Sequence, residues 1–177
     1  VQRLRVWARR WGSVAVAVGL MMAGATGASA GEREERATVN CLGMNTIDFA
    51  PGLSVLPRKT RIGGTGAYRC TSTVPGLTSA RSVIHGGGTN GCFTSDATTV
   101  ETVTWSTGER SVVVYPLGNV TQVAGQAVVL VMGTVVSGKF RGRAVASPGV
   151  QLTLDVPACA TAGGVPSITG PSALLIP

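Results

Sequence analysis

Short runs rich in Val and Thr, punctuated by Gly and Pro, make up most of this chain, and no long i, i+3, i+4 apolar spacing of an amphipathic helix appears. In residues 98–115, a Thr/Val-rich half and a β-branched, aromatic half flank Ser106, Thr107, Gly108 and Glu109, small and polar residues suited to a tight turn. The pattern predicts a β-hairpin, with Trp105 as its largest packed side chain. Val150, Leu152, Leu154 and Val156 alternate with Gln151, Thr153 and Asp155, as in a strand with one face inward and one wet. Residues 122–132, apolar around Val128, Val129, Leu130 and Val131, fit a strand buried on both faces.

Glycine and proline set the remaining boundaries. Residues 37–49 read as strand interrupted at Gly43, Pro51-Gly52 as a turn, and 53–62 as extended chain. Gly63, Gly64, Thr65 and Gly66 read as a second turn before a strand at 67–73. Residues 79–84 follow as a strand, 85–91 as a glycine-rich loop, and 167–176 as a strand able to close the sheet. The expected class is all-β, an antiparallel β-sandwich of Ig-like or barrel-like form, occupying residues 37–177 as a single domain.

The first thirty residues stand apart. Arg3, Arg5, Arg9 and Arg10 precede an apolar run over 13–25, and Ala28-Ser29-Ala30 forms an A-x-A site, the three parts of a secretory signal peptide. The run is shorter than the roughly 20 apolar residues of a membrane span. Val1 fits a non-ATG start codon read literally, and so a bacterial source. Residues 31–36 are a charged, flexible lead-in. The chain's net charge is +7, but the first thirty positions hold four of its fifteen basic residues and none of its eight acids. Without them eleven basic residues face eight acids, and a net +3 is no footprint for nucleic acid.

Cys41, Cys70, Cys92 and Cys159 all follow the signal segment. An even count in an exported chain predicts two disulfides, each contributing about 2–4 kcal/mol. A metal site is not expected, because no pair has C-x₂₋₄-C spacing and the only histidine is His85. Three pairings are open to four cysteines. An out-and-back path for residues 41–70 favours Cys41–Cys70 with Cys92–Cys159.

Chemical motifs are sparse. Residues 133–139 match G-x-x-x-x-G-K, but Phe140 stands where Ser or Thr must meet Mg²⁺. Its two glycines suit a bulge or a close strand approach. His85-Gly86-Gly87-Gly88 matches an esterase oxyanion motif without the G-x-S-x-G elbow it requires, and reads instead as a loop tip. A hydrolase would need His85 as base, oriented by Asp96 or Asp155. No catalytic residue is assigned, and no cofactor is expected. Lys139, Arg141 and Arg143 alternate and would share one face of a strand. With Arg58, Lys59 and Arg61 they form a candidate anion-binding stripe for a cell-wall or other extracellular anionic polymer. No aromatic platform interleaves the charges, so nucleic acid is not an expected partner. Nor is a membrane, once the signal is cleaved.

Five segments carry a resemblance: FAPGL at 49–53, GTGAYRC at 64–70, WSTGERS at 105–111, GTVVSGKFRG at 133–142 and CATAGGVPSITG at 159–170. Together they resemble a group of small secreted actinobacterial proteins with four cysteines. The resemblance implies export and one β domain, and it implies no activity. The expected function is that of a non-catalytic binding or structural extracellular protein. The alternatives are an anionic-polymer-binding envelope module, a small protease inhibitor presenting 79–91 or 159–165, and a hydrolase using His85. Intact-mass analysis of the natural product is expected to show a chain beginning at Gly31 with no free thiol; a retained leader or alkylatable cysteine would refute the export reading.

Overall fold

The computed structural model describes residues 37–123, 126–151 and 154–177; the expected signal peptide (1–30) and lead-in (31–36) lie outside them. The chain forms strands β1 (Val39–Leu53), β2 (Arg58–Ser72), β3 (Ser79–Asn90), β4 (Ser95–Trp105), β5 (Arg110–Val123), β6 (Gln126–Gly138), β7 (Ala144–Gln151) and β8 (Val165–Ile176). A single helical turn, α1 (Val156–Cys159), precedes β8. Each strand pairs antiparallel with the next, and β8 returns to pair with β1, so the sheet is a closed up-and-down barrel. The expected all-β fold is therefore present in its barrel-like form. Both disulfides are present as well, Cys41–Cys70 and Cys92–Cys159.

The turns divide between two ends. At the first end, β2–β3, β4–β5 and β6–β7 connect, and apolar side chains fill the lumen. Trp105 meets Phe140 edge to face, with ring centroids 5.4 Å apart. Trp105 Nε1 donates to Ser111 Oγ at 2.8 Å, and Ser111 Oγ donates to the Lys139 carbonyl at 2.6 Å. The Lys139 ammonium pairs with Glu109 at 2.7 Å, and Arg143 donates to the Ala37 carbonyl at 2.9 Å. Ser106 Oγ donates to the Gly76 carbonyl at 2.8 Å, joining a third turn. Val39, Val103, Val135, Leu174 and Ile176 pack behind this plug. Two of the resembling segments, WSTGERS and GTVVSGKFRG, thus meet in space.

At the other end, Leu53, Cys92, Cys159, Val165 and Ile168 form a smaller apolar cluster. The Cys92–Cys159 bond ties α1 to the β3–β4 turn. Backbone bonds from Val55 to the Cys159 carbonyl and from Cys92 to the Ser54 carbonyl draw in the β1–β2 turn.

The hairpin at 98–115 is β4–β5, with Trp105 buried, as its pattern predicts. Several other expectations need correction. Residues 63–66 are mid-strand in β2, and 85–90 are the second half of β3, not turn and loop. Glycine is needed there for proximity: a Cβ on Gly88 would lie 2.0 Å from the Asp96 carbonyl oxygen, and one on Gly86 2.3 Å from that of Thr98. β1 continues through Gly43 and Pro51, with its turn at residues 54–57. β6 is not buried on both faces, since Leu130 and Met132 are 42% and 55% exposed on the barrel's outer wall. The alternating segment 150–156 is not one strand: β7 ends at Gln151, residues 152 and 153 lie outside the described residues, and Asp155 caps α1 by accepting from the Ala158 amide. Phe140→Ala is expected to cost about 3–5 kcal/mol in urea unfolding, the usual range for emptying a buried aromatic site; a loss under about 1 kcal/mol would mean the plug does not hold this end.

Candidate functional site

Above the plug the inward-facing positions become small. Ala97, Gly118, Gly149 and Gly170 take places that would otherwise fill an eight-stranded lumen, and a cavity of about 160 Å³ is left. Its walls are apolar, from Ile47 and Phe49 on β1, Ile62 on β2, Ile84 on β3, Val129 on β6 and Ile168 on β8. At its outer end lie Asn90, Thr94 and Ser95, beside the Cys92–Cys159 bond.

The inner end is polar. Glu101, only 2% exposed, projects inward from β4 in phase with Val103 and Trp105. Tyr115 Oη donates to Glu101 Oε2 at 2.8 Å, and Tyr68 Oη donates to Oε1 at 3.4 Å. Burial pushes the Glu101 carboxyl above its ordinary value of 4.5, against the opposing pull of the nearby Ser82, Tyr115 and Tyr68 hydroxyls, of which the two tyrosines hydrogen-bond to it. Burial first, and the Glu101 charge second, hold both tyrosine hydroxyls above their ordinary range.

Two amides border this space with atoms left over. Asn45 Nδ2 donates to Ser172 Oγ at 3.1 Å, leaving Asn45 Oδ1 buried without a partner. Asn90, 2% exposed, accepts from Ser95 Oγ at 2.7 Å through Oδ1, leaving Nδ2 unpaired. Gly66 makes room for the polar group: a Cβ there would lie 2.6 Å from both Asn45 Oδ1 and Ser82 Oγ. Orphaned buried atoms of this kind carry a free-energy cost that a bound molecule or water would relieve.

The candidate anion-binding residues do not share a strand face. Lys139, Arg141 and Arg143 belong to the β6–β7 turn at the plugged end, where Phe140 adopts φ 62° and the chain reverses. Arg58, Lys59 and Arg61 begin β2 at the opposite end, so the six form no continuous stripe. Arg58 is engaged structurally, donating to the carbonyls of Gly52 and Gly163. Lys59 and Arg61 are on the outer wall, which Arg69 and Arg81 share. His85 is exposed on that wall between Gly63 and Val100, and Asp155 is occupied as a helix cap. Of the two candidate inhibitory loops, 79–91 is β3 in all but its last residue, whereas residues 160–163 are exposed. All four cysteines are in the two disulfides.

None of Asn45, Tyr68, Asn90, Glu101 and Tyr115 stands out in the sequence as a functional residue. A signal for Glu101 was present. Once Trp105 is taken as packed, strand parity puts Val103 and Glu101 on the same inward face.

Among the described residues no cluster of His, Cys, Asp or Glu could hold a metal ion, and no helix is long and apolar enough to cross a membrane. Comparison of the chain with protein-family models, with curated proteins and with solved structures finds no match.

Glu101 makes stability depend on pH. Between pH 4.5 and its elevated folded pKa, the native state keeps a proton that the unfolded chain has released, so stability falls as pH rises through that window. Urea unfolding of the parent chain from pH 4 to 8 is expected to show this decline, approaching about 1.4 kcal/mol per pH unit at its steepest. Glu101→Gln should flatten it, and parallel profiles for the two proteins would contradict the assignment.

Proposed function

We propose that this is a secreted, non-catalytic binding protein that holds a small, mainly apolar molecule inside its barrel. The observation that carries the reading is the cavity: apolar walls, a polar inner end and unpaired buried amide atoms. Eight-stranded barrels either fill their lumen with side chains or keep space for one small ligand. Here the lumen is filled at the plugged end and opened by small residues nearer the other. The volume limits the guest, since an apolar cavity of about 150 Å³ admits a molecule the size of benzene. Ring-sized compounds fit, and long lipids do not.

Features that suit export support the same role. Two disulfides and the leader-like first thirty residues suit an oxidising compartment, where a covalently braced barrel can carry or sequester a guest. The bound molecule would hydrogen-bond at the inner end and present hydrocarbon to Ile47, Ile84 and Ile168. Asn90 Nδ2 would meet a polar group nearer the outer end, or a bridging water.

Benzene and phenol are suitable probes, with thermal unfolding as the readout. A probe at a hundred times its Kd should stabilise the barrel by about 2.7 kcal/mol. Ala97→Phe, which places a ring in the cavity, is expected to abolish the shift while leaving the far-ultraviolet circular dichroism unchanged. Should neither probe, nor a charged compound with the same ring, raise the melting temperature of the parent chain, the binding role is wrong.

A further inference from the structure

We propose that the cavity's inner end is built for an ammonium group, so that the ligand is a small primary amine with an apolar, ring-sized body. This rests on the small-molecule reading above and narrows it.

The charge pattern motivates the inference. Glu101 reaches the inner end of the cavity almost fully buried, and no Lys, Arg or His is among the described residues that line the space. On β2, Lys59 and Arg61 are exposed on the outer wall, and Arg58 is held by the Gly52 and Gly163 carbonyls. Tyr68 and Tyr115 donate to the two carboxylate oxygens, but a hydroxyl supplies a dipole and no compensating charge. A buried carboxylate needs an opposite charge as well as hydrogen bonds to offset its lost hydration. The protein supplies the hydrogen bonds and leaves out the cation.

Donor and acceptor balance points the same way. Asn45, Ser82 and Ser172 surround the Tyr68 hydroxyl beside Glu101. Asn45 commits its amide nitrogen to Ser172 and leaves Oδ1 as a buried free acceptor. The inner end therefore offers the Glu101 carboxylate and the Asn45 carbonyl, acceptors that suit the several N–H donors of an ammonium. An alcohol brings one donor and no charge. A carboxylate ligand would set a second acid beside Glu101 and bring neither positive charge nor N–H donors. The walls of Ile, Val and Phe then take the hydrocarbon body.

Benzylamine, benzyl alcohol and benzoate share one ring and differ at the polar group. Titration calorimetry of the oxidised parent chain at pH 8 with each separates the possibilities. Benzylamine is expected to bind at least about tenfold more tightly than benzyl alcohol, equivalent to roughly 1.4 kcal/mol, with no detectable binding of benzoate. Glu101→Gln should bring benzylamine down to the affinity of the alcohol and leave the alcohol unchanged. The three-ligand comparison on the parent chain decides the matter even where that variant does not fold. Equal or tighter binding of the alcohol or of benzoate would overturn the amine assignment while preserving the cavity's role. Failure of all three, together with benzene, would remove the binding role itself and the amine with it.

Discussion

Closure of the sheet is the constraint on which everything else in this molecule depends. Pairing of β8 with β1 runs from Val39 opposite Ile176 to Leu53 opposite Val165, with a register shift between Asp48 and Leu53, and it closes the described strands into a barrel. It also fixes the meaning of every side chain, because a single-walled barrel gives each strand one inward and one outward face. Inward positions must either fill the lumen or leave it hollow. The two ends of this chain do both. Trp105 and Phe140 fill one end, and the small residues at 97, 118, 149 and 170 leave space nearer the other.

Seen through closure, what was legible in the sequence and what was not has a physical basis. The β4–β5 hairpin was legible because β-branched strands and a Ser-Thr-Gly-Glu turn act locally. The second half of β3 was not. Gly86, Gly87 and Gly88 read as loop because glycine has no side-chain pattern, yet neighbouring backbone leaves no room for a Cβ at 86 and 88. β6 misled for the opposite reason. Leu130 and Met132 are apolar but face outward, and the outer wall continues through Leu117 on β5 and Leu42 and Met44 on β1. Apolar composition alone cannot distinguish a strand buried on both faces from one with an apolar outer surface. The basic residues misled through parity. Lys139, Arg141 and Arg143 alternate in sequence, but a positive φ at Phe140 turns that alternation into a reversal of the chain.

The two disulfides do different work in this frame. Cys41 and Cys70 are already opposite one another on paired strands, so their bond reinforces a register that the ladder has set. Cys92 and Cys159 join the β3–β4 turn to α1, elements that no strand ladder connects. The loops they close, with separations of 29 and 67 residues, predict about 3.6 and about 4.4 kcal/mol from the unfolded-chain argument. In the native state, the second is the covalent restraint beside the outer end of the cavity. Its loss bears on the shape of the site more directly than loss of the first.

Glu101 shows why the plug and the cavity belong to one barrel. A buried acid flanked by two tyrosines destabilises a fold whenever it ionises without a countercharge, and the small inward residues above it forgo apolar contact. An all-apolar lumen would satisfy folding more simply. The barrel tolerates the polar layer because the other end is over-determined: aromatic contact, the Trp105–Ser111–Lys139 relay, the Lys139–Glu109 pair and Cys41–Cys70 all converge there. Stability concentrated at one end permits an unfavourable arrangement in the middle. That separation is expected where a protein keeps a preformed site, and in this chain it follows the order of the strands' inward residues.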